Sequence, residues 1–251
     1  MVHIVGAGCG APDLITLRGK RLLEEADVII YAGSLVNREL LDYAKEGCEI
    51  HDSAKMTLEE TVAVMDAAEK AGKTTVRLHT GDPSLYGAIG EQMRELNRLG
   101  IEYDITPGVS SFAGAAAALK TEYTLPDVSQ TVIISRAAGR TPVPDKESLS
   151  ALAAHGATMV LFLSAGLLDK VTEELTAGGY SLDTPAAIVY KAYWDDEKVC
   201  RCTVGTLKQT AEDNGITKTA LITVGQFLES EFTRSKLYDP GFSTEYREAT
   251  K

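Results

Sequence analysis

V-R-L-H-T-G-D-P-S-L-Y-G, from Val76 to Gly87, is the stretch on which the reading of the fold turns. Val76, Arg77 and Leu78 continue a strand, whereas Thr80-Gly81-Asp82-Pro83 cannot. Gly81 allows close backbone approach or a positive φ, and Pro83 fixes its own φ while pushing Asp82 out of the α region. From Tyr86 a helical pattern runs to Leu99. The expectation is a bare, stiff loop at the carboxyl end of a strand, which is where an open α/β sheet binds ligands. A βα turn with no further task is the alternative, since such turns are rich in Gly and Pro.

Upstream, Val2-His3-Ile4-Val5 reads as a strand entering Gly6-Ala7-Gly8-Cys9-Gly10-Ala11-Pro12-Asp13, a match to the dinucleotide pattern G-x-G-x-x-A. That pattern needs a helix opening at its second glycine and an acid closing the next strand. Here Pro12 and Asp13 interrupt, the helical period starts near Leu14 to Thr16, and the second strand, Asp27 to Tyr31, ends in Tyr31-Ala32-Gly33. A nicotinamide or flavin site is therefore disfavoured, although the loop still reads as ligand-facing. Ser34 is placed to cap a helix through Tyr43 and Ala44. Glu49-Ile50-His51 is a weak third strand, and Thr57 with Glu60 has capping-box spacing.

Downstream, the strand Ile101 to Ile105 ends in Thr106-Pro107-Gly108-Val109-Ser110-Ser111, a second sharp loop, followed by an alanine-rich helix, Phe112 to Leu119. Periodicity lapses from Thr121 to Asp127, which sets a domain boundary: residues 1–121, then 122–228, then a charged tail, 229–251. In the second half, strands at Thr131 to Ser135, Met159 to Leu163, Ala187 to Tyr190, Val199 to Val204 and Ala220 to Val224 alternate with helices near Lys146 to Ala154, Leu168 to Leu175 and Leu207 to Glu212. The strands flanking Trp194-Asp195-Asp196 form an antiparallel hairpin. The fold class expected is two α/β domains, the first mainly parallel and the second mixed.

Composition narrows the function. The 251 residues are 44% hydrophobic and 24% charged, as in globular proteins, and the net charge of −11 argues against a nucleic-acid or membrane-surface partner. Cys9, Cys48, Cys200 and Cys202 lack C-x-x-C spacing and the four histidines are scattered, which argues against a metal site and for free, buried thiols. No leader and no apolar run near ~18 residues is evident, pointing to the cytoplasm. Asp195-Asp196-Glu197 reads as a solvated turn, and His79 as a hydrogen-bonded structural histidine or an acid–base group. No nucleophile elbow, Walker A loop or H-E-x-x-H motif occurs. What remains is a set of glycine-bearing loops suited to binding through backbone groups, enough for a group transfer whose cofactor already carries the reactive group.

The runs V-G-A-G-C-G-A-P-D-L-I-T at Val5, Y-A-G-S-L-V at Tyr31, H-T-G-D-P-S-L-Y-G-A-I at His79, P-G-V-S-S at Pro107, R-A-A-G-R-T-P-V-P at Arg136, V-Y-K-A-Y-W-D-D-E-K at Val189 and S-K-L-Y-D at Ser235 resemble the tetrapyrrole methylases. These are the two-domain S-adenosylmethionine (SAM) enzymes of corrin synthesis, and the likeness is strongest to the subgroup that methylates ring carbon 11. The resemblance implies SAM folded in a cleft between the domains, with S-adenosylhomocysteine as product. It assigns Pro12, Thr80, Gly81, Asp82, Leu85, Ser110, Ser111, Leu163, Ser164, Tyr190, Lys191, Ala192, Ala220 and Leu221 to the cofactor. It also implies a homodimer, a trough for a tetrapyrrole substrate, and no protein nucleophile. Because the acceptor carries carboxylates, Arg18, Arg136, Arg140 and Lys191 are candidates to bind it. Uroporphyrinogen methylases carry an acid directly after the Tyr of Y-D-x-L-V; here Tyr31 is followed by Ala32-Gly33-Ser34, so a different tetrapyrrole is implied. The alternatives are a methylase acting at another ring carbon, on diphthamide or on ribosomal RNA, a non-catalytic tetrapyrrole carrier, and a nicotinamide dehydrogenase.

Overall fold

The central strand is β4 (Thr75–His79), and all five of its residues are buried, as a strand covered on both faces must be. In the computed structural model, which describes residues 1–229 and 231–250, it lies in a five-stranded parallel sheet. Its companions are β1 (Val2–Gly6), β2 (Val28–Tyr31), β3 (Glu49–Asp52) and β5 (Tyr103–Thr106), in the order β3-β2-β4-β1-β5. Val2 pairs with Thr75 and with Tyr103, so the carboxyl ends of β4, β1 and β5 finish level.

One face of the sheet presents Val5, Ile29, Tyr31, Val76 and Leu78 to Leu22 and Leu23 of α1 (Leu17–Glu25). The other presents Val2, Ile4, Val28 and Ile30 to Val62 and Met65 of α2 (Leu58–Lys70) and to Ile89 and Leu96 of α3 (Ile89–Leu99). Alternation puts Arg77 and His79 on this second face. Arg77 is buried there; its Nε donates to Gln92 Oε1 at 2.9 Å and its Nη1 to the Ile30 carbonyl at 3.1 Å. Burial draws its pKa down to about 10.

Local chemistry sets the helix starts. Thr57 and Glu60 form the expected reciprocal capping box on α2, and the Thr16 side chain caps α1. Three segments differ from expectation. Instead of one helix to Tyr43 there are two 3₁₀ segments, Gly33–Leu35 and Arg38–Tyr43, the second capped by Asn37; the Ser34 side chain lies outside the described residues. α3 opens at Ile89 rather than Tyr86, because Tyr86 and Ala88 take positive φ values of 55° and 50°. The helix expected from Lys146 is a 3₁₀ turn, Asp145–Glu147, followed by the short α5 (Leu149–Ala153). Before it, α4 (Ser111–Leu119) follows β5.

The second sheet is mixed, with β6 (Val132–Arg136), β7 (Thr158–Phe162), β8 (Pro185–Tyr190), β9 (Lys198–Thr203) and β10 (Ala220–Val224) in the order β6-β7-β10-β8-β9. β6 and β7 are parallel, and the β8–β9 hairpin is antiparallel as expected. α6 (Leu168–Ala177) and α7 (Leu207–Asp213) supply Val171, Leu175, Leu207 and Ala211 to its core. Packing divides the chain into Met1–Ala115 with Lys191–Glu197, and Ala116–Tyr190 with Lys198–Lys251. The hairpin turn thus belongs with the first unit. No helix among the described residues is long and apolar enough to cross a membrane.

Candidate functional site

Three loops of the first unit meet at the carboxyl ends of β1, β4 and β5, and they meet backbone to backbone. Gly8 N–H donates to the Gly81 carbonyl at 3.2 Å, and Gly81 N–H donates back to the Gly8 carbonyl at 2.9 Å. At Gly6 and Gly108 the loops touch so closely that a Cβ on Gly108 would lie 2.1 Å from the Gly81 oxygen, and one on Gly6 would lie 2.6 Å from Gly108 Cα. Glycine is required there for proximity. At Gly81, φ is +59° and a Cβ would find nothing nearer than Ser111 N at 3.5 Å, so the glycine is needed for conformation.

Asp82 fastens this junction. Its Oδ2 accepts the Gly108 N–H at 2.9 Å, and its Oδ1 accepts the Ser84 N–H at 2.9 Å together with the Ser84 hydroxyl. Burial alone would raise the pKa of Asp82, but these donors outweigh it and hold the carboxyl below its ordinary value. Both oxygens serve the loop, so Asp82 shapes the site through the backbone it holds. Gly87 closes the turn against Pro83; a Cβ there would lie 2.2 Å from the Pro83 oxygen.

The hairpin turn adds a fourth wall. A Cβ on Gly10 would lie 2.4 Å from the Ala192 oxygen, and one on Gly114 of α4 would lie 2.8 Å from Cys9 Sγ. Asp195-Asp196-Glu197 is exposed, as a solvated turn should be, and it braces itself: Lys191 Nζ donates to Asp196 Oδ2 at 2.6 Å, and Tyr193 N–H donates to Glu197 Oε2 at 2.7 Å. Of the four thiols only Cys9 is buried; Cys48, Cys200 and Cys202 are half-buried, because the edge strand β9 leaves the last two partly open.

Among the described residues, three of the five buried polar side-chain atoms without a hydrogen-bond partner lie at the same edge: His79 Nε2, Thr80 Oγ1 and Thr106 Oγ1. Such atoms are costly unless something satisfies them. His79 is 4% exposed, and burial with the nearby Arg77 cation draws its pKa down to about 3. The imidazole is therefore neutral in the folded protein over the range in which a free histidine titrates. An unfolded chain takes up the proton below pH 6.5 and the folded chain does not until about pH 3. Stability should accordingly fall with acidification through that window, by about 1.4 kcal/mol per pH unit from this group. Urea unfolding from pH 7 to pH 4 should show His79→Gln with that much less slope; parallel curves would contradict a neutral His79.

The other expected site residues fall as follows. Pro12 opens a 3₁₀ turn, Pro12–Leu14, and α1 starts only at Leu17, so the G-x-G-x-x-A loop lacks the helix a dinucleotide pyrophosphate needs. The structure brings Thr80, Gly81, Asp82, Ser110, Ser111 and Ala192 to the loop junction, with Leu85 on the turn that Asp82 begins. In the second unit, Leu163 leaves β7 with φ 53° and is 68% exposed, while Ser164 beside it is fully buried, its hydroxyl accepting the Ala137 N–H at 2.8 Å and donating to the Phe162 carbonyl at 2.7 Å. Tyr190 pairs with Ala220, and Leu221 with Val189, across β8 and β10. Arg136 Nη2 donates to the Pro142 carbonyl at 2.7 Å and Nη1 to the Thr141 carbonyl at 3.1 Å, which braces its own loop; Arg18 and Arg140 are exposed.

Backbone strain marks the same loops. Of the eight described non-glycine residues with positive φ, Tyr86, Ala88, Leu163, Lys191 and Tyr193 follow β4, β7 and β8. Each costs about 1–3 kcal/mol and persists where surrounding structure demands it, commonly at functional sites. No periodicity in the sequence announces them.

Comparison with known proteins identifies the family. The family model for tetrapyrrole (corrin/porphyrin) methylases matches residues 1–208. A cobalt-precorrin-4 C(11)-methyltransferase from Methanocaldococcus jannaschii is 56% identical over 251 residues, all of this chain and 97% of that protein. The X-ray structure of a cobalamin biosynthetic enzyme, cobalt precorrin-4 methyltransferase, superposes with a TM-score of 0.89 at 50% identity, covering 91% of this chain and 96% of that one. A uroporphyrin-III C-methyltransferase from Thermus thermophilus, solved with S-adenosylhomocysteine, gives a TM-score of 0.75 at 26% identity, covering 91% and 93%. With three glycine loops joined at the carboxyl edge of a parallel sheet, and with relatives matching from end to end, the chain belongs to the tetrapyrrole methylases.

Proposed function

We propose that the chain is a SAM-dependent methyltransferase that adds a methyl group to ring carbon 11 of precorrin-4, with or without cobalt, in corrin synthesis. The observation that carries this reading is the loop junction at Gly6, Gly81 and Gly108, where three loops at the carboxyl ends of the strands lock backbone to backbone with unpartnered polar atoms beside them. It fits a ligand held by main-chain groups. Thr80, Gly81, Leu85, Ser110, Ser111, Pro12, Lys191 and Ala192 of the first unit would hold SAM; in the second unit, Leu163, Ser164, Tyr190, Ala220 and Leu221 are the residues that the resemblance assigns to the cofactor. SAM supplies a sulfonium methyl, electrophilic enough for direct transfer to an electron-rich ring carbon.

The protein's own contribution is alignment. Thr80 Oγ1 is an unused hydrogen-bonding group within the loop, and Asp82 fixes the backbone on either side of it. Holding two reactants in line in a preformed loop can supply ~7–11 kcal/mol of the barrier reduction. That is sufficient without a protein nucleophile. Arg18 and Arg140 are exposed and available to acceptor carboxylates, whereas Arg136 reaches them only if its loop bonds open. The proposal includes a cytoplasmic homodimer.

Incubation with methyl-¹³C SAM and enzymatically generated precorrin-4 tests the reading. The product should gain one labelled methyl, located at C11 by NMR. Tetrapyrrole binding without mass gain would make the chain a carrier, and label at another carbon would reassign its position.

A further inference from the structure

At the carboxyl ends of β2 and β3 stands a cluster with no task in the scheme above. Tyr31 closes β2, Asp52 closes β3, and the two are register partners, which puts their side chains on one face of the sheet. Tyr31 is buried; burial first, and then its hydrogen bond to Asp52 and that residue's charge, raise the pKa of the phenol, with Arg38 offsetting part of the effect. A neutral phenol beside a carboxylate donates to it. Arg38 Nη2 lies 3.8 Å from Asp52 Oδ2, and its guanidinium carbon lies 6.0 Å from the centre of the Tyr31 ring.

Asp52 itself keeps 27% of its side chain exposed. Its Oδ1 accepts the Ala54 N–H at 2.9 Å, capping the 3₁₀ turn Ser53–Lys55, and its Oδ2 is the oxygen turned to Arg38. The cluster sits one strand from the loop junction, since Ala32 N–H, directly after Tyr31, donates to the Leu78 carbonyl of β4 at 3.0 Å.

Methylating an enamine-type ring carbon turns the conjugated ring nitrogen into a cationic N–H. A base nearby relieves that charge. Asp82 gives each oxygen to a backbone N–H of its own junction, whereas Asp52 gives one oxygen to a backbone N–H and leaves Oδ2 to side chains. A proton on His79 would create a second buried cation beside Arg77, whereas a proton on a carboxylate removes a charge.

Resting on the methyltransferase reading, we propose that Asp52 is the catalytic base for the acceptor, held by Tyr31 and Arg38 as positioning residues. The π pair of the ring carbon forms the new C–C bond, and the electrons of the C–S bond leave with the thioether sulfur. The N–H proton passes to the Asp52 carboxylate, and its bond pair restores a neutral imine on the ring.

Asp52→Asn tests this, because the amide oxygen can still cap Ala54 while the charge is gone. Single-turnover transfer should slow by about a hundredfold or more, with S-adenosylhomocysteine affinity unchanged at a temperature where both proteins are folded. A readout apart from turnover uses two pyrrole probes with the same carboxylate side chains. Wild type should bind the dipyrrinium cation about tenfold or more tightly than Asp52→Asn does, and the neutral dipyrromethane equally. Tyr31→Phe should show the same pattern with a smaller loss of rate, about tenfold. Transfer by Asp52→Asn within about threefold of wild type, or equal loss of both probes, would overturn the assignment while leaving the methyltransferase reading intact. A wild-type chain that neither binds S-adenosylhomocysteine nor transfers methyl would overturn both.

Discussion

Gly108→Ala is expected to abolish measurable binding of S-adenosylhomocysteine and to lower the unfolding midpoint. A Cβ at this position would lie 2.1 Å from the Gly81 oxygen and 2.8 Å from Gly6 Cα, and both obstacles are backbone. No rotamer change relieves such a clash; one of the three loops must move. Overpacking in a core costs about 1–3 kcal/mol even where side chains can yield, and here they cannot help. Displacing the loop also moves Gly81, whose carbonyl and N–H are engaged by Gly8. A drop in affinity of about a hundredfold or more corresponds to some 2.7 kcal/mol. Calorimetry and thermal melting of the same preparation would check both effects, and an alanine variant that binds normally would show that the loops are slack.

The second large effect is expected at Asp82. Asp82→Ala removes the acceptors of the Gly108 N–H, the Ser84 N–H and the Ser84 hydroxyl together. Hydrogen bonds to charged groups contribute about 1.5–3 kcal/mol each where they are dry, but these three share one half-exposed carboxylate and do not add in full, so stability should fall by roughly 2–4 kcal/mol and affinity by about fiftyfold or more. Because the folded pKa of this carboxyl is depressed, its contribution is complete above the unfolded value near 3.8 and is lost as pH falls through the lower folded value. Wild type and Asp82→Ala should therefore converge in stability only in strong acid. Asp82→Asn should fall between them, since an amide oxygen can accept at one side of the carboxylate but its NH₂ faces a donor at the other. Equal stability of wild type and Asp82→Ala at neutral pH would remove Asp82 from the junction.

Much of this was legible in the sequence, for local reasons. Pro83 and Gly81 stop a strand wherever they occur, Thr57 and Glu60 meet within one helical turn, and Trp194 to Asp196 separates two strands short enough to pair. What was hidden depends on distance along the chain. Gly6 meets Gly108, Asp82 reaches Gly108, and Gly10 meets Ala192 only after the sheet has formed. Asp82 could be singled out as a residue of the site but not as its fastener, since a carboxylate in a loop looks the same whether it faces ligand or backbone. The cluster at Tyr31 was hidden for the same reason: Asp52 comes from the neighbouring strand. The helix predicted after Gly33 failed because a short amphipathic stretch is as compatible with 3₁₀ turns, and Asn37 caps in the middle of it.

Hydrogen exchange of the intact chain with and without S-adenosylhomocysteine tests the central claim most directly, namely that the glycine loops of the parallel sheet hold the methyl donor. Added protection should appear at residues 6–12, 80–88 and 107–112, and should be lost in Gly108→Ala. Protection confined to other segments, or none at a saturating concentration, would contradict it.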